Sequence, residues 1–70
     1  MTQAIEILMV EDNPADVELT KEAFNEGKLN NVLNVVSDGE EALNYLHKRG
    51  RFTDAKTPDI VLLDLNLPKV

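Results

Sequence analysis

No cysteine occurs anywhere in the 70 residues, which excludes disulfides and thiolate metal sites. No apolar run is long enough to span a membrane, and the N-terminus lacks the basic-then-apolar pattern of a signal peptide. A cytoplasmic location is the expectation that follows. Basic residues are scarce: seven Lys and Arg stand against thirteen Asp and Glu, for a net charge of −6. That balance argues against a nucleic-acid surface and against membrane binding through this segment. It suits a site that attracts a cation, and it suits a solvated acidic surface equally well. There is no internal repeat and no low-complexity segment. The length allows one domain at most, and a chain this short buries only about 60% of its unfolded surface, so marginal stability is expected.

What is present is organised around Pro58-Asp59-Ile60-Val61-Leu62-Leu63-Asp64-Leu65-Asn66-Leu67-Pro68. A short Ile/Val/Leu run bounded by prolines predicts a strand buried on both faces of a parallel sheet. Asp64 interrupts it near its end. An unpaired buried carboxylate costs several kcal/mol, so packing does not explain it. It is tolerable at the strand's carboxyl end, facing the crevice where open α/β sheets bind ligands.

The N-terminal run Ile5-Glu6-Ile7-Leu8-Met9-Val10 predicts a first strand, stopped by Glu11-Asp12. Asn13-Pro14 then predicts a helix start, with Asn13 as N-cap, Pro14 in the first helical position and Asp16 in the first turn. The helix is expected to reach about Glu26. Val17, Thr20 and Phe24 share one face, Ala15, Leu19 and Ala23 the adjoining one, and Gly27 is the expected stop. After a turn at Leu29-Asn30-Asn31, residues 32–36 predict a second strand, which Asn34 marks as nearer an edge. Asp38 as N-cap and Glu41 three residues on make a capping-box-like start to a second helix. Its apolar side is Ala42, Leu43, Tyr45 and Leu46, and it is expected to stop near Gly50. Residues 51–57 read as a polar loop with one aromatic, Phe52.

The predicted order is β-α-β-α-β. With right-handed crossovers the simplest doubly wound arrangement is a parallel sheet in the order 2-1-3. Strands one and three then lie side by side, about 4.8 Å apart, and Glu11, Asp12 and Asp64 converge on one crevice. Two carboxylates about 6 Å apart at an effective dielectric near 20 repel by roughly 3 kcal/mol. Three require a cation, a basic partner or a shared proton. Mg²⁺ takes oxygen ligands, so Asp12 suits a direct ligand, Glu11 a position in or near the shell, and Asp64 a ligand or reacting group. The plainer alternatives stay open: Glu11 and Asp12 as a strand stop and helix-dipole partner, Asn66 as a turn residue, His47 as a solvated helix end, Lys69 as an exposed cation.

Three stretches in the right order also resemble the receiver domain of two-component response regulators. They are Val10-Glu11-Asp12-Asn13, then Ser37-Asp38-Gly39-Glu40-Glu41-Ala42-Leu43, then the stretch from Pro58 to Pro68. Asn13-Pro14-Ala15-Asp16 and Gly50-Arg51-Phe52 look most like the stand-alone regulators that pair with phytochrome-type kinases. The resemblance implies a flavodoxin-like fold and a phosphoacceptor, not an enzyme in the ordinary sense. It implies that Asp64 accepts a phosphoryl group from a histidine kinase. Asp12 and Glu11 would hold Mg²⁺, and Asn66 would offer its backbone carbonyl.

A complete receiver has five βα units, and residues 1–70 match two and a half. The family's Asp-Gly pair after the proline, its switch Ser/Thr and its Lys have no counterpart here. On this reading 1–70 is a truncated receiver domain with an open third-strand edge, expected to self-associate, in the simplest case as a two-fold dimer. Lasting phosphorylation is not expected without the Lys. Two other functions remain open: an assembly piece without chemistry, and an aspartate-nucleophile phosphatase. The latter expects an acid where Asn66 stands.

Overall fold

A computed structural model describes residues 4–27 and 30–63. Its elements are β1 (Ile5–Val10), α1 (Pro14–Glu26), β2 (Asn31–Val36), α2 (Gly39–Leu46), a 3-10 turn over Gly50–Phe52, and β3 (Ile60–Leu63). The three strands form one parallel sheet in the order β2-β1-β3, as the sequence pattern predicts. β1 pairs with β2 from Ile5↔Asn31 to Val10↔Val36, and with β3 from Ile7↔Ile60 to Val10↔Leu63. Asp64, Asn66 and Lys69, along with the rest of the stretch up to Pro68, lie outside the described residues, as does Leu29.

β1 is the middle strand, and its apolar run is the core. Ile7 and Leu8 are fully buried, and Met9 and Val10 nearly so. The two-residue period of a strand sends alternate side chains to opposite faces. Leu8 and Val10 join Val36 and Tyr45 in one cluster, with Ala42, Phe52 and Ala55 packed against it. Ile7 and Met9 look to the other face. Right-handed crossovers that leave β1 in one direction and return past it in the other place the two helices on opposite sides of the sheet.

The helix signals act largely as read. Asn13 Oδ1 accepts the Ala15 N–H at 2.9 Å, with Pro14 at the first helical position. Val17, Thr20 and Phe24 form the half-buried side of α1, whereas Ala15, Leu19 and Ala23 stay exposed. Gly27 is the C-cap, but with φ −73° and ψ −4° it is right-handed, so its stop does not use glycine's conformational freedom. Asp38 Oδ1 accepts the Glu41 N–H at 2.8 Å, as a capping residue should.

Four expectations need correction. β2 begins at Asn31, which pairs with Ile5 and so belongs to the ladder rather than the turn. α2 ends at Leu46, well before Gly50. Its stop is Lys48, at φ 57°; the Lys48 N–H bonds to the Tyr45 carbonyl at 3.1 Å and the Arg49 N–H to the Asn44 carbonyl at 2.9 Å. That is a Schellman ending with a lysine where glycine is usual, so no glycine marks it. The loop after it contains the 3-10 turn, and Phe52 turns inward against Tyr45, ring centroids 5.3 Å apart. Finally, β3 is not buried on both faces. Ile60, Val61 and Leu63 are 41%, 48% and 57% exposed; among the described residues β3 has β1 as its one strand neighbour, while α1 packs on β2 and α2 on β1.

Candidate functional site

The sequence singles out the carboxyl edge of the sheet, where β1 delivers Glu11 and Asp12. Glu11 is only 7% exposed, the one charged side chain buried among the described residues. Its backbone N–H donates to the Val36 carbonyl at 2.9 Å, extending the β1–β2 pairing one residue beyond the strand. Its Oε2 accepts the Asn13 N–H at 3.1 Å. Glu11 therefore closes the turn into α1 with its own side chain, which fixes the carboxylate at the strand end. Asp12, the next residue, is exposed. One acid is thus held within the edge of the fold and its neighbour presented to solvent, both hard oxygen donors.

Across the sheet, β3 runs parallel to β1 and ends its described length at Leu63, opposite Val10. In sequence the next residue after Val10 is Glu11, and the next after Leu63 is Asp64. On the other flank, residues 37–38 connect β2 to α2. The Ser37 N–H donates to Glu41 Oε1 at 2.8 Å, and the second oxygen of Glu41 accepts Arg51 Nη2. Among the described residues no group of three or more His, Cys, Asp or Glu could hold a metal, and the third expected acid lies outside them. His47 caps α2 at its exposed end, away from the acids, as a solvated residue.

Two contacts were missed from the sequence. The first is the Glu41–Arg51 pair. A capping box predicts that Glu41 turns back on the helix start, but nothing in the spacing announces that Arg51, ten residues on, shares its carboxylate. The second is the pairing of Glu6 with Asp59. The Glu6 N–H donates to Asp59 Oδ2 at 2.9 Å, and the Asp59 N–H donates to the Glu6 carbonyl at 2.7 Å. This locks the entry of β3 to β1 just ahead of the Ile7↔Ile60 to Val10↔Leu63 register.

A parallel 2-1-3 sheet with one fixed and one exposed acid at the end of its middle strand is the geometry against which relatives can be compared. The family model of the response regulator receiver domain matches residues 7–70. The chain belongs to that family. Receiver domains of response regulators are phosphoacceptor signalling modules rather than classical enzymes. Response regulator Rcp1 of Synechocystis is 38% identical over 63 residues, covering 90% of this chain and 43% of that protein. Among solved structures, the phosphorylated cyanobacterial phytochrome response regulator RcpA matches with TM-score 0.83 at 43% identity, over 96% of this chain and 48% of that one. The response regulator RPA3017 in red light signaling of R. palustris matches with TM-score 0.87 at 41% identity, over 93% and 48%. The chain spans less than half the length of these relatives. No helix among the described residues is long and apolar enough to cross a membrane.

Proposed function

We propose that residues 1–70 are the N-terminal portion of a receiver domain whose Asp64 accepts a phosphoryl group from the phosphohistidine of a sensor histidine kinase. One observation supports this above the others: β1 and β3 are adjacent and parallel up to Val10 and Leu63, and the chain continues from those two residues into Glu11-Asp12 and Asp64. A carboxylate oxygen of Asp64 attacks phosphorus as the P–N bond breaks, and the imidazole nitrogen leaves with the bonding pair.

Glu11 and Asp12 are the residues that would hold Mg²⁺, with the Asn66 backbone carbonyl as a further oxygen donor. The donor set fits: a fixed, buried carboxylate beside an exposed one offers the hard oxygens Mg²⁺ prefers, with open solvent for its waters. Bound there, the ion screens the repulsion between anions and stabilises charge on the phosphoryl oxygens. The names of the relatives favour a phytochrome-type kinase as donor. The acidic balance and the lack of a long apolar run in the sequence are what favour a cytoplasmic location, without nucleic-acid or membrane contact through this segment.

The test is Mg²⁺-dependent labelling of the full-length protein by a small phosphodonor. One phosphoryl group per chain is expected, and none in Asp64→Asn; undiminished labelling of that variant would sink the assignment. A second reading, self-association, is favoured by the exposure of Ile60, Val61 and Leu63 on the β3 edge. On it the 70-residue chain sediments as a dimer with or without Mg²⁺, and Val61→Lys returns it to monomer. A monomer at every concentration excludes that second reading.

A further inference from the structure

The loop that follows α2 is tied to the loop beside the acidic pair. Arg51 Cζ sits 4.5 Å over the centroid of the Phe52 ring, and Phe52 leans on buried Tyr45. The aromatic pair therefore anchors the guanidinium against the core. From there Arg51 Nη2 donates to Glu41 Oε2, while Glu41 Oε1 accepts the Ser37 N–H. Ser37 directly follows Val36, whose carbonyl takes the Glu11 N–H. An unbroken series of contacts thus runs from the connector before β3 to the backbone of Glu11.

We infer that Arg51 is a positioning residue: by engaging one oxygen of Glu41 it aims the other at Ser37 and so holds the β2–α2 turn in place beside Glu11 and Asp12. A carboxylate with one oxygen pinned loses a rotational freedom it would otherwise retain, and a turn pinned at its first residue transmits that order to the strand end it leaves. The ion pair itself is largely exposed, 67% at Arg51 and 30% at Glu41, so it adds little to overall stability. Its effect is local order. The link to metal binding rests on the proposed function, but the first readout below does not.

The experiment compares wild type, Arg51→Gln, Arg51→Lys and the exchanged pair Glu41→Arg with Arg51→Glu. Amide exchange followed by NMR reads the turn, and Mn²⁺ titration reads the acidic pair. In Arg51→Gln the Ser37 amide exchanges about threefold faster or more, while Ile7 and Leu8 are unchanged. Mn²⁺ affinity falls by about threefold, the scale of one exposed charged contact. Arg51→Lys, which keeps the charge, recovers most of both. The exchanged pair restores opposite charges but leaves position 41 without an oxygen for the Ser37 N–H, so Ser37 stays unprotected. A plain surface ion pair would show full recovery there, and that result overturns the inference. So does an unchanged Ser37 amide in Arg51→Gln, or Mn²⁺ affinity that ignores the substitution. If wild type binds no Mn²⁺ while Ser37 responds as stated, the metal-site reading falls and the brace stands.

Discussion

β1 and β3 are written in nearly the same alphabet and live in opposite environments. Ile7-Leu8-Met9-Val10 is buried to within a few per cent, whereas Ile60, Val61 and Leu63, paired with residues of that run, are about half exposed. Both runs are followed by an acid. The difference lies in position: β1 has a strand on each side and α2 packed on it, while β3 has one described neighbour. Apolar composition specifies that a segment can be buried. Sheet order decides whether it is.

The sharpest way to break this comparison is a matched pair of truncations. Leu8→Ala removes a fully buried side chain, with an expected loss of about 2–5 kcal/mol. At roughly 0.05–0.15 kcal/mol per residue, 70 residues carry about 4–10 kcal/mol at most, so Leu8→Ala should leave the chain mostly unfolded in mild urea. Leu63→Ala changes a side chain that is 57% exposed and should move stability by about 0.5 kcal/mol or less. Urea unfolding of both variants, followed by circular dichroism, is the measurement. Comparable losses from the two would mean that β3 is as much a part of the core as β1.

Much of this architecture was legible in the sequence. The bounds of β1 and α1, the cap at Asn13, the cap at Asp38 and the 2-1-3 order all follow from local patterns. Those patterns encode hydrogen bonds within a few residues and one rule of handedness. What did not show was non-local. The burial of β3 depends on neighbours that its own letters do not name. The end of α2 depends on Lys48 adopting a left-handed conformation that propensity assigns to glycine, whereas the local pattern points to Gly50. The inward turn of Phe52 and the reach of Arg51 to Glu41 join residues with no shared periodicity. At the site, Glu11 and Asp12 stood out as adjacent acids ending a strand. Their division into a buried carboxylate, which accepts the Asn13 N–H, and an exposed one is not written in the two letters.

A smaller effect sharpens the same contrast from the side of what covers β1. Tyr45 packs with Leu8 and Val10 on the α2 face, and its burial, aided by the nearby Glu6 carboxylate, raises the phenol above its ordinary pKa of 10.0. Strand pairing sets Val61 and Leu63 against Leu8 and Val10, but those two remain open to water. A raised folded-state value means that above pH 10 the folded chain retains a proton the unfolded chain has lost. Stability from this source is fully present below the unfolded value and is lost as pH rises through the folded one. The expected result is a fall in melting temperature on the alkaline side of pH 10, accompanied by tyrosinate absorbance that appears later in the folded chain than in urea. Tyr45→Phe keeps the apolar cover and should flatten that part of the profile while leaving neutral-pH stability within about 1 kcal/mol. Because Tyr45 is the chain's one tyrosine, the absorbance reports this ring alone. Titration of the folded chain at the ordinary value would show that water reaches the phenol. The α2 face of β1 would then be no better sealed than that of β3, and the contrast between the two strands would lose its physical basis.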